Sequence, residues 1–115
     1  MHNDWPALAE GMTPALHDLR AGAPDVMSGF SAVARAALGG KALDSKTKEL
    51  IALGIAVAIR CDACVAFHAE SAVKRGATRE EVMEAMGMAI YMGAGPSVMY
   101  AAKAVEAFDQ FAARK

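Results

Sequence analysis

Apolar residues along the chain recur three and four positions apart, and no segment sustains a two-residue alternation, so the pattern predicts helices and no strands. Leu8, Met12, Leu16 and Leu19 follow that spacing behind Asp4, which can cap a helix whose opening turn holds Trp5 and Pro6. Thr13-Pro14 can split this helix in two. The stretch AGAPD, 21–25, interrupts the pattern. A second helix is predicted over 25–38, with Gly39 and Gly40 as its stop. A third opens at ALDSKTKEL, capped by Asp44 or Ser45, and continues through Ile59. After Glu49 it reads LIALGIAVAI, apolar on every face, which is the mark of a helix buried all round. It belongs either at the centre of the fold or at a subunit contact. A fourth helix is predicted from Cys61 to Arg75, stopped by Gly76. The run TREE, 78–81, is a capping box that starts a fifth. That helix ends at GAGP, 93–96, and a sixth fills most of the remainder. The expectation is an all-α, single-domain bundle of about six helices spanning 1–115.

Composition narrows the function classes. Apolar residues make up 55% of the 115 positions while aromatics are only 6%, so alanine, methionine and short aliphatics carry the excess. Such helices pack closely, and a subunit interface can absorb the surplus. Net charge is −1, which provides no basic field for a nucleic-acid partner. The longest apolar run is ten residues, about half of what a bilayer span needs, and the N-terminus lacks the pattern of a signal peptide. No membrane partner is expected, and the expected compartment is the cytoplasm. There a C-x-x-C pair is more often catalytic or metal-binding than structural.

The chemistry concentrates in RCDACVAFHAE, 60–70, which holds both cysteines and one of three histidines. On one helix Cys61, Cys64 and His68 fall within an arc of roughly 60°. Cys64 and His68 are an i, i+4 pair; the cysteines are an i, i+3 pair, close enough for a disulfide if the first turn adapts. A helix starting near Cys61 sets both sulfurs among unpaired N–H groups, which favours a thiolate. Asp62, between them, opposes this and is expected to point away. These features suit thiol–disulfide or peroxide chemistry, with one cysteine attacking, the other resolving, His68 carrying the proton and Glu49 orienting it. Each residue alone has a plainer reading: buried cysteines as small hydrophobes, His68 as a satisfied helix histidine, Glu49 as a first-turn acid. Zinc is the other chemical reading, with Cys61, Cys64, His68 and Glu49 as ligands. Structural zinc sites usually take a second Cys or His pair from elsewhere, however, and only His2 and His17 remain. Glu49 stands twelve residues before Cys61, about 18 Å along a straight helix. The chain must bend near Arg60–Cys61 and the two helices must cross before Glu49 can reach His68.

The pattern Glu49-x11-Cys61-x2-Cys64-x3-His68 resembles the AhpD-like alkylhydroperoxidase family within the carboxymuconolactone decarboxylase superfamily. The likeness runs through residues 46–95, including the GATREEV turn, whereas the first forty residues match only in general character. The resemblance implies an all-helical fold and homo-oligomers, trimers or hexamers built from them. It implies Cys64 as the peroxide-attacking residue, Cys61 as the resolving one, and Glu49 and His68 as a proton relay. It also implies a hydroperoxide substrate and a dithiol or thiol-protein reductant such as a lipoyl-bearing one; no cofactor or metal is expected. Well-studied members carry a histidine directly before the second cysteine; here that position is Ala63, so the implied relay is shorter by one group. A decarboxylase-like lyase acting on a small lactone or carboxylic acid, or a non-catalytic oligomeric module, are the alternative readings.

Overall fold

The computed structural model describes residues 3–114 and is all-helical, with no strand among them. Six helices follow in order: α1 (Trp5–Gly11), α2 (Thr13–Gly22), α3 (Pro24–Leu38), α4 (Ser45–Ile59), α5 (Asp62–Lys74) and α6 (Arg79–Ala113). Pro14 does divide the first predicted helix, and the break predicted at 21–25 narrows to Ala23, because proline at the first turn starts α3 at once. The glycine stop after α3 holds, although Gly39 is extended (φ −62°, ψ 129°) rather than left-handed. The capping box is complete. Thr78 Oγ1 accepts from Glu81 N–H at 3.1 Å, and Glu81 Oε1 accepts from Thr78 N–H at 2.8 Å. Those contacts hold the Glu81 carboxyl below its usual range, the Thr78 N–H bond contributing first and Lys46 next.

The fifth and sixth predicted helices are the two segments of α6, parted at Ala94 (φ 55°, ψ −143°) inside the predicted GAGP break. That conformation is nearly exclusive to glycine and is strained in alanine. Gly93 has its own reason: a Cβ there would collide with the buried Ser97 side chain. Pro96 follows, and its missing N–H suits the opening turn of the second segment.

The core lies where α4, α5 and α6 pack together, with α1 laid against α5 and α6. Leu53, Val57, Val65, Val82, Phe108 and Trp5 fill it, together with buried alanines such as Ala66, Ala69, Ala104 and Ala107. Trp5 is fully buried, and its Nε1–H donates to Glu106 Oε1 at 2.7 Å. Its backbone N–H donates to Gln110 Oε1 at 2.8 Å, so one residue locks the start of α1 to the end of α6. Trp5→Ala removes both the packing and the indole donor, and should cost about 3–5 kcal/mol in urea unfolding.

Of the two places expected for the third helix, the centre of a single chain is the one the fold does not give it. Glu49, Leu53, Ala56 and Val57 of α4 turn inward, while Ile51, Ile55 and Ile59 on its other side are exposed. Within one chain α4 packs on α3, α5 and α6 and leaves an apolar face open. α2 and α3 bury no residue at all. No helix among the described residues is long and apolar enough to cross a membrane.

Candidate functional site

α4 and α5 form a hairpin with two residues between them, and that connection builds the site. Asp44 caps α4, its carboxylate accepting from Thr47 N–H at 2.7 Å. At the other end the chain turns through Arg60, in the left-handed region (φ 58°, ψ 48°). Cys61 N–H returns to Ala56 O at 3.1 Å and Arg60 N–H to Val57 O at 3.2 Å. This is a Schellman closure with arginine where glycine is usual, at a backbone cost of about 1–2 kcal/mol. Cys61 is thereby left extended (φ −104°, ψ 102°) as the cap of α5, and its Sγ accepts from Cys64 N–H at 3.2 Å. Cys61 and Cys64 are joined in a disulfide with their Cα atoms 5.2 Å apart, inside the ordinary range for such a bond. Both residues are half-buried, so the sulfurs lie at the rim of the core rather than within it.

The tight reversal lays α5 across α4, and Glu49 meets His68. Glu49 is 4% exposed, and its Oε1 lies 2.7 Å from His68 Nδ1. A carboxylate that deep in an apolar interior requires a donor, and the ring N–H provides one. With Glu49 ionised, Nδ1 carries the proton and donates it to the hydrogen bond, which leaves the Nε2 lone pair free. The His68 side chain is 30% exposed, so the pair runs from the core to solvent. His68 also stands one turn beyond Cys64 on α5, which places the pair beside the disulfide. All four residues singled out by spacing, Cys61, Cys64, His68 and Glu49, are thus brought to one hairpin.

Two neighbours of the cysteines escape sequence reasoning. Asp62 turns toward α6: its Oδ2 lies 3.9 Å from Lys103 Nζ, and its Oδ1 is buried without a hydrogen-bond partner. Lys103 Nζ also sits 4.4 Å from the centre of the Tyr100 ring. Nothing in local spacing links position 62 to position 103; only the packing of α5 on α6 does. For metal binding, the two sulfurs are consumed by their mutual bond, and His68 Nδ1 is engaged by Glu49. His17 is exposed on α2, which packs on neither α4 nor α5, and His2 lies outside the described residues.

Comparison with known proteins places this geometry in a family. Residues 24–107 match the model of the carboxymuconolactone decarboxylase family. Among solved structures, the fold is similar to a carboxymuconolactone decarboxylase family protein from Legionella pneumophila. That chain is 50% identical, with a TM-score of 0.91, over 94% of this chain and 96% of the other. A protein from Thermotoga maritima is 26% identical with a TM-score of 0.83, over 91% and 92% of the two chains. An uncharacterized protein from Haemophilus influenzae is 39% identical over 95% of this chain and 96% of its own length. With the matched segment containing Glu49, both cysteines and His68, the chain belongs to the carboxymuconolactone decarboxylase family.

Proposed function

We propose that this protein is a cytoplasmic thiol-dependent peroxidase or disulfide reductase of the AhpD-like alkylhydroperoxidase type, acting in antioxidant defence. The supporting observation is the union, in one hairpin, of a helix-capping Cys61–Cys64 disulfide with the buried Glu49–His68 pair. In the reduced state Cys64 is the nucleophile. Its thiolate attacks the terminal oxygen of a hydroperoxide, the O–O bond breaks, and Cys64 becomes a sulfenic acid while the alkoxide leaves. His68 Nε2, having taken the Cys64 thiol proton as the thiolate formed, gives it to the departing alkoxide to make an alcohol, and Glu49 stabilises the ring in the required orientation. The Cys61 thiol then attacks the sulfenic sulfur, forming the disulfide and releasing water. A dithiol, such as a lipoyl group, or a thiol protein returns two electrons and two protons and is itself oxidised to a disulfide. With a disulfide as substrate in place of peroxide, the same exchange chemistry applies.

Thiol titration tests this directly. The reduced chain should lose both free thiols with one equivalent of mild peroxide and regain both with dithiothreitol. Two thiols persisting after several equivalents would dismiss the reading.

We also propose that the chain assembles as a homo-oligomer built on trimers, with hexamers as the end state. In support, Ile51, Ile55, Met88, Tyr91, Met92 and Met99 all stand exposed on α4 and α6.

A further inference from the structure

Val26, Phe30 and Val33 stand at i, i+4 and i+7 on α3 and face solvent together, Phe30 being 64% exposed. This is the anchor spacing of a helix that lies in an apolar groove. α3 buries none of its own residues and packs only on α2 and α4. It is tied down at its carboxyl end, where Lys48 Nζ donates to Ala37 O at 2.8 Å and Gly39 O at 2.6 Å. It is an arm, apolar on one stripe and uncovered.

The chain also carries a matching groove. α4 and the first segment of α6 leave a trough, with the exposed Ile51, Ile55, Met88 and Met92 as its walls and Gly54 and Ala85 between them. No residue of α3 lines it. Along α4 it extends from position 47 to 58, about 16 Å, and the stripe on α3 needs about 10 Å. A convex ridge of three side chains fits a trough floored by glycine and alanine, whereas two troughs face to face leave a void.

We propose that α3 of one copy seats Val26, Phe30 and Val33 in the α4–α6 groove of a second copy of this chain. The inference rests on the proposed self-association and specifies its contact. Area supports a second copy as the occupant. Seven of the fourteen large apolar side chains that are at least 40% exposed stand on the arm or on the walls of the groove, and apolar side chains gathered in that way on a soluble protein mark an interaction site. In a ring each copy gives up both faces, which brings it toward the roughly 800 Å² per partner that a stable interface takes. One surface offered and a different one received make a heterologous contact, which closes into rings, as a trimer requires.

The test uses one variant on each surface. Phe30→Asp spoils the arm, Ile55→Asp spoils the groove, and both side chains are exposed, so circular dichroism should stay helical. Should Ile55→Asp lose its helicity, Met92→Asp on the opposite wall replaces it. By light scattering each variant alone should lose the trimeric ring, falling to one chain, near 12 kDa, or to the two chains held by the contact that joins trimers into hexamers. An equal mixture should form a species at least twice as heavy as either variant alone, because the intact arm of one still meets the intact groove of the other. Wild-type mass in either variant, or a mixture no heavier than its components, would overturn the arm-in-groove contact. A wild-type protein that is itself a single chain would instead overturn self-association.

Discussion

Cys64→Ser should abolish peroxide consumption, and Cys61→Ser should leave a sulfenic acid on Cys64 that a dimedone-type probe traps. The two substitutions separate attack from resolution. Without Cys64 no thiolate stands where His68 can protonate the leaving group. Without Cys61 the first turnover completes and then stalls, because no neighbouring thiol expels the sulfenic oxygen as water. Serine is the informative replacement at position 61. Cys61 caps α5 through its sulfur, and serine is itself a preferred cap, so the helix start survives the loss of the redox group. Mass spectrometry after one equivalent of peroxide reads both results. Full turnover in the Cys64→Ser protein would exchange or discard the roles.

His68→Ala and Glu49→Gln should each slow peroxide consumption by about 10², the low end for positioned acid–base help, since Ala63 offers no second imidazole. The two variants differ in stability, and the difference is diagnostic. Glu49→Gln keeps an oxygen to accept from His68 Nδ1–H and should unfold in urea near the wild-type midpoint. His68→Ala leaves a buried carboxylate oxygen without its donor, at a cost on the order of 1–3 kcal/mol. A rate loss in Glu49→Gln with stability retained therefore reports proton handling rather than a damaged fold. Unchanged rates in both would mean that the cysteines act alone.

The helices were legible because their ends carry local chemistry. Asp4, Asp44 and Thr78 cap as their side chains dictate, and Gly76 ends α5 with a positive φ. The cysteine helix was legible from spacing, and so was the shared face of Cys64 and His68. The meeting of Glu49 with His68 was not, because it hangs on a reversal at Arg60 that carries no glycine to announce it. The pairing of Asp62 with Lys103 was not legible either, for a similar reason: Lys103 comes from a distant part of α6. The apolar run of α4 revealed no sidedness, since hydrophobic residues on every face give no direction to a core. Only packing on α5 and α6 selects Leu53, Ala56 and Val57 as the inner set. The apolar stripe of α3 was equally silent about its partner: the periodicity that predicts a buried face does not say which molecule buries it.

The sulfur of Cys61 belongs to two systems at once. It is half of the disulfide, and it is the acceptor that closes the first turn of α5. Gaining two electrons converts a neutral acceptor into a thiol or thiolate, and an ionised acceptor binds a backbone N–H about twice as strongly as a neutral one. The helix–coil balance at this end of α5 and the electron affinity of the cysteine pair are therefore two sides of one free-energy cycle. Whatever tightens that turn more in the reduced state draws electrons toward the pair by the same amount.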